Sequence, residues 1–304
     1  MVDTIEPSGI LIINKPEGMT SHDVVNKVRR LFSLRRVGHT GTLDPMASGV
    51  LVVLIGRAAK AAEYISSSKK AYVATLRLGT TYDTQDVTGT PLKICEDIPS
   101  ADAVIATVNE FSGKIMQIPP MYSALKVNGQ KLYDLARKGI EVEREARPIT
   151  VHSISATPTQ IPTDFILSVE CSAGTYIRTL CEDIGNSLGC GGAMATLKRT
   201  SAGGFDITHS YTLEEIEALT EEKRQALLRP TEELFSDLDK ICLPNFFEKL
   251  SRNGCEIYLK KIGKDIPLGT RVRLCSQNGE FYALGEVREY EDGNAIKAIK
   301  LFDI

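Results

Sequence analysis

The run GVLVVLIG, residues 49–56, contains no polar residue, and a strand apolar at every position reads as buried on both faces. GILII (9–13) is a second short apolar run, ended by the Lys-Pro-x-Gly turn of NKPEG. HDVVNKVRRLF puts Val24, Val25, Val28, Leu31 and Phe32 on one helical face, with Thr20 or Ser21 as its cap. KAYVATLRLGTTYD alternates: Tyr72, Ala74, Leu76 and Leu78 on one side, Val73, Thr75 and Arg77 on the other, as in a half-buried strand. GRAAKAAEYISSS reads as helical, and FILSVECSAGTYIRTLCEDIGNSLG as strand, glycine turn and helix. Residues 210–238 form a helical, acidic stretch with Pro230 inside it and a cap at Thr231. After Pro244 the texture changes to short strands and glycine turns, including a hairpin around Asn278-Gly279. That shift divides the chain into residues 1–239 and a small β-rich unit, 240–304. The pattern alone does not separate one α/β arrangement from another.

With 304 residues, 42% apolar and 25% charged, the chain is a folded globular one with a sizeable core. No run approaches the length of a membrane helix. The first residues lack a basic segment and a signal-length apolar run, so a cytoplasmic location is expected. Seven cysteines without a Cys-x-x-Cys pair fit reduced thiols, with no structural metal. The net charge of −3 does not announce a nucleic-acid partner, but its distribution is uneven. Lys27, Arg29, Arg30, Arg35 and Arg36 form one basic cluster, Lys126 to Arg147 holds another, and 214–239 is acid-rich. By themselves these are solvated faces of opposite sign.

Candidate chemistry centres on GHTGTLDPMASG, residues 38–49, where Asp44 precedes Pro45 at the mouth of the buried strand. Proline moves Asp44 away from helical torsion angles, and an aspartate in such a loop serves as an Asx-turn former. Loops anchored to a rigid strand are also where catalytic groups sit. On spacing alone both readings stand.

GHTGTLDPMASGVLVVLIGRAAK resembles the catalytic motif of the TruB family, the bacterial tRNA pseudouridine-55 synthases. INKPEGMTSHDVV is similar to the family's Lys-Pro motif, and KAYVATLRLGTTYDTQDVTG to its tyrosine-bearing strand and Asp-rich turn. GKIMQIPPMYSALKVNGQKLYDLARKGIEVEREARP is similar to its RNA-gripping thumb; AGTYIRTLCEDIG and LKRTSAGGF match two further blocks. The C-terminal segment resembles a PUA domain in outline.

The resemblance implies an α/β fold of the α+β type, a mixed, mainly antiparallel sheet with flanking helices. It also implies a thumb near 114–150 and a PUA-like RNA-binding domain at 240–304. The implied reaction breaks the uridine N1–C1′ bond, turns the base over and rejoins it through C5. Atoms and redox state balance, so neither cofactor nor metal is implied.

Each site residue is implied by its place in these blocks. Asp44 is the carboxylate at the ribose, as nucleophile or in sugar proton chemistry. Arg178 is its cationic partner; taken singly it reads as a surface helix charge. Tyr72 stacks on the target uracil and takes part in removing the C5 proton; the alternation alone would make it core. His39 fills the space of the everted base, where the bland reading is a turn histidine bonded to Thr40 or Thr42. Tyr176, Leu197 and Lys15 support the site. Asp86, Lys60, Lys126, Arg137 and Arg147 belong to base flipping and RNA binding, Lys126 and its neighbours interleaved with Tyr122 and Tyr133. The implied partner is the T-arm stem-loop of tRNA, bound by a monomer with no membrane contact. Two other readings use the same residues: a synthase for another RNA, or an RNA-binding module without catalysis. Met194 departs from the family's usual polar or aromatic residue.

Overall fold

In a computed structural model of the protein, residues 6–65, 69–127 and 129–302 are described. Their larger sheet has nine strands. Along its main path the order is Gly9–Lys15, Ser48–Ile55, Gly192–Ala202, Lys70–Leu78, Asp164–Cys171, Arg147–Pro158 and Gly113–Gln117. Val37–His39 pairs beside Ser48–Ile55, and Phe205–Asp206 beside Gly192–Ala202. Every pairing is antiparallel except one, where Lys198 and Arg199 lie parallel to Ser48 and Gly49. The sheet is therefore mixed and mainly antiparallel, as the resemblance implied.

Ser48–Ile55 is buried on both faces, as its unbroken apolar run requires. Leu51, Val53 and Ile55 meet Val24, Val25 and Val28 of the helix Ser21–Leu31 on one side. Val50, Val52 and Leu54 meet Ala58, Ala61 and Phe235 on the other. Thr20 caps that helix in a reciprocal box with Asp23, so Ser21 is left free for a different bond. The alternation in Lys70–Leu78 also holds, with Tyr72, Ala74, Leu76 and Leu78 buried. The helix Ile177–Ser187 packs Ile177, Leu180, Cys181 and Ile184 against the same core. Met194 is wholly buried there.

Two expected helices differ. Gly56–Tyr64 winds as a 3₁₀ helix, and its buried Ala58 and Ala61 are three apart, the spacing a three-residue turn places on one face. The Ser66–Ser68 end of that expected helix lies outside the described residues. Residues 210–238 break into Leu213–Glu217, Glu221–Ala226 and a 3₁₀ turn at Thr231–Phe235. Thr212 caps the first of these with Glu215, while Thr231 lies inside the 3₁₀ turn rather than capping it. The acidic charge of this stretch reaches the first basic cluster, where Lys27 pairs with Glu217 at 2.7 Å.

A second sheet of five strands has the order Lys240–Cys242, Arg271–Cys275, Phe281–Tyr290, Gly293–Leu301 and Ile257–Tyr258. The hairpin at Asn278-Gly279 is present: Ser276 N donates to Glu280 O, and Gly279 has φ +87°. This unit packs on the larger sheet, Leu284 and Phe302 joining Ile10, Leu54 and Phe235 in one core.

Candidate active site

The loop between Val37–His39 and Ser48–Ile55 is pinned from below by the NKPEGMTS segment. Ser21 Oγ accepts from Leu43 N at 2.8 Å and donates to Leu43 O at 3.0 Å. Gly18 N donates to Pro45 O, and Lys15 Nζ donates to Pro16 O, Met19 O and Pro45 O at 2.8, 2.6 and 3.3 Å. Lys15 is fully buried, and burial pulls its pKa down to about 8, although the Asp44 charge works in the opposite direction.

Asp44 emerges from this fixed loop with its side chain 35% exposed. Its main-chain oxygen accepts from Ala47 N, so the turn closes through the backbone. The carboxylate instead faces Arg178: Nε lies 2.9 Å from Oδ2, and Nη2 3.4 Å from Oδ1. That two-pronged pairing replaces the Asx-turn reading. Arg178, 7% exposed, is a buried residue at the start of a helix and not a surface charge. Its remaining donors bind Thr84 O at 3.1 Å and Tyr122 O at 2.8 Å, which joins three segments around one guanidinium.

Asp86 lies 3.9 Å from Arg178 Nε, but its own oxygen accepts from Thr84 Oγ1, Thr88 N and Thr88 Oγ1. Of the two carboxylate side chains beside Arg178, Asp44 is the one partly open to solvent, while Asp86 is 8% exposed.

Tyr72 and Leu197 share one core cluster with Leu43 and Ala47 of the Asp44 loop. Burial pushes the Tyr72 phenol pKa up, and the neighbouring Arg199 opposes that. Tyr176 caps the Arg178 helix, its backbone clamped by Gln117 through bonds of 2.8 and 3.0 Å. With Arg147 it lines a cavity of about 160 Å3 at the side of the site. His39 is half-buried; burial first, then Arg199 and His22, hold its pKa down, so the imidazole is neutral at neutral pH. Its Nδ1 is buried and has no partner among the described residues, so neither Thr40 nor Thr42 bonds it there.

Lys126 and Arg137 stand away from this cluster, exposed on the insertion between the paired strands Gly113–Gln117 and Arg147–Pro158. With Lys131 and Lys138 they line an open basic hollow of about 600 Å3. Lys60 lies elsewhere, its Nζ donating to Leu301 O of the second sheet.

One residue escaped the sequence reading. Arg199 is 1% exposed and donates to Val50 O, Thr42 O and Gly41 O at 2.7, 3.2 and 3.0 Å. It sits opposite Tyr72 in the sheet register. Gly49, at φ +102°, is where the two strands nearly touch: a Cβ there would lie 2.2 Å from Arg199 O. Arg199 thus holds both ends of the Asp44 loop. The signal was legible: Leu197 in, Lys198 out, Arg199 in, an arginine at an inward position. Register shifts at Met194/Thr196 and Arg199/Ser201 bracket this stretch and aim it at the loop.

A model of the TruB family pseudouridylate synthase N-terminal domain matches residues 29–177, and one of the tRNA pseudouridylate synthase B C-terminal domain matches 178–236. The chain belongs to the TruB family. It is 44% identical over 298 residues to tRNA pseudouridine synthase B of Clostridium kluyveri, covering 97% of this chain and 99% of that one. The corresponding protein of Clostridium acetobutylicum is 43% identical over 294 residues, covering 96% and 99%. Among solved structures, a crystal structure of a Cbf5-Nop10-Gar1 complex matches with TM-score 0.72 and 27% identity, covering 97% of this chain and 85% of that chain. The match thus extends through the second sheet, and the pseudouridine synthase fold is the one described above. The boundary between the two family models falls beside Arg178, inside the larger sheet, because that sheet is completed only by Gly192–Ala202 and Phe205–Asp206.

Proposed function

We propose that this chain isomerises uridine 55 in the T-loop of tRNA to pseudouridine, with Asp44 acting at the ribose of an everted nucleotide. The observation that carries this reading is the partly exposed Asp44 carboxylate paired with a buried arginine. The guanidinium, itself buried, fixes the position of the carboxylate through two contacts, at 2.9 and 3.4 Å, so that the group is presented in one orientation. Tyr72 supplies a ring for the uracil to stack on and a hydroxyl for the C5 proton. The reaction conserves its atoms: N1 releases C1′ and gains a proton, C5 takes C1′ and loses one. His39, uncharged and poorly solvated, suits the space that the extruded base leaves. The Asp86 turn, Tyr176, Leu197 and Lys15 hold the pocket in shape.

In this reading residues 1–239 carry the chemistry, and the 118–146 insertion grips the T-arm through Lys126, Arg137 and, at its base, Arg147. Residues 240–304 form a small PUA-like RNA-binding unit, and Lys60 joins it to the catalytic part. The protein works in the cytoplasm as a monomer. Among the described residues no helix is long and apolar enough to cross a membrane, and no group of side chains could hold a metal ion. The test is tritium release from C5-labelled uridine in a T-arm hairpin. Stoichiometric release is expected; none, or release only from ribosomal RNA fragments, overturns the assignment.

A further inference from the structure

Lys70 opens the strand Lys70–Leu78 two residues before Tyr72, so both side chains leave the same face of the sheet. Its ammonium lies against the catalytic loop: a Cβ built on Gly41 would stand 3.2 Å from Lys70 Nζ and 3.7 Å from Arg199 Nη1. Lys70 is partly buried, and burial together with the Arg199 charge depresses its pKa. Yet among the described residues its ammonium has no hydrogen bond and no ion pair. The two carboxylates of the site are already engaged, Asp44 by Arg178 and Asp86 by Thr84 and Thr88. Arg199 is held by three carbonyls, so it adds positive potential without a counter-charge. A half-dry ammonium left alone is costly to the fold, and such a cost is typical of a position that awaits an anion.

We propose that Lys70 Nζ, above a floor made by Gly41 and Arg199, seats a phosphodiester of the RNA strand that carries the target uridine. This rests on the function proposed above. With the uracil on Tyr72 and its ribose at Asp44, the strand backbone crosses the loop one pleat along the sheet, where Lys70 lies. Lysine binds phosphate as a point charge and needs no fixed fork, which suits a backbone that moves as its nucleotide turns over. Gly41 keeps the approach open, since a side chain there would cover the ammonium.

Full-length Lys70→Gln and Lys70→Arg test this with the T-arm hairpin. Lys70→Gln is expected to raise Kd and KM together about five- to ten-fold and to lower the slope of log Kd against log salt by about one. Its kcat changes less than about two-fold, and Lys70→Arg restores the slope. The melting temperature of Lys70→Gln stays at or above that of the wild type, because the lysine holds nothing in the fold. An unchanged slope, or a drop of several degrees in melting temperature, overturns the seat. So does a result in which inorganic phosphate protects wild type but not Lys70→Gln while hairpin slopes are equal, which would mark a site for free phosphate. Wild type that releases no tritium from the hairpin would instead remove the proposed function.

Discussion

The Thr40–Ala47 loop and the 118–146 insertion meet at the same guanidinium: Arg178 holds the Asp44 carboxylate from one and the Tyr122 carbonyl from the other. They are built in opposite ways. The loop is short and tied by Ser21, Gly18, Lys15 and Arg199, and its neighbouring cations are buried. The insertion consists of a hairpin with two-residue strands, Lys126–Val127 and Gln130–Lys131, and the five-residue helix Leu132–Ala136. Lys126, Lys131, Arg137 and Lys138 are exposed there, and Lys131 and Arg137 rest against the Tyr133 ring at 5.2 and 5.6 Å from its centroid. Bond-breaking at one ribose needs a group fixed to a fraction of an ångström, whereas gripping a stem-loop needs charge and reach. Rigidity is concentrated where chemistry is proposed, and exposed charge where only binding is.

Substitutions in the two regions should therefore fail differently. In the loop, Asp44→Asn is expected to lower kcat by at least about 10³-fold while hairpin affinity stays within a few-fold. Kinetics and filter binding on one preparation check this, and equal losses in both would erase the contrast. Arg199→Met removes the donor from three carbonyls, of which that of Val50 is buried, and should cost about 1–3 kcal/mol in denaturant unfolding, with kcat falling as the loop loosens. Wild-type stability in that variant would mean that the loop is held by Ser21 and Lys15 alone.

Lys15 gives a pH signature. Its pKa is about 8 in the folded protein against 10.5 in the unfolded chain, so between those values the unfolded state binds more protons. Stability from this group accordingly rises with pH across that window and is lost as pH falls through 8. Relative to Lys15→Met, the wild type should gain about 2–3 kcal/mol from pH 7.5 to 10. Thermal melts of both proteins across the window check it; parallel curves would contradict the buried ammonium. The smallest effect belongs to the insertion. Lys126→Ala and Arg137→Ala should each weaken hairpin binding a few-fold and lower the salt slope by about one, without moving the melting temperature.

Much of this contrast could be read in the chain. The unbroken GVLVVLIG run and the alternation around Tyr72 foretold two central strands, because burial on two faces or on one leaves a direct trace in the pattern. The family blocks brought Asp44, Tyr72 and Arg178 to notice, though spacing left Asp44 as either a turn former or a catalytic group. Contacts between distant segments were less accessible. The inward position of Arg199 follows from the alternation of Leu197 and Lys198, but what it holds there depends on which strand pairs with Ser48–Ile55. The bond from Lys60 to Leu301 O likewise depends on how the two sheets pack, which the pattern around residue 60 does not carry. The 3₁₀ winding of Gly56–Tyr64 likewise follows from what lies beneath Ala58 and Ala61, since helix propensity alone favours an ordinary α-helix there.

A crystal structure with a hairpin carrying 5-fluorouridine at the target position examines the reacting centre itself. The expected picture is an everted base stacked on Tyr72, with the Asp44 carboxylate against its ribose and still joined to Arg178. A base left in the loop stack, or the Asp86 carboxylate at the sugar in place of Asp44, would contradict it.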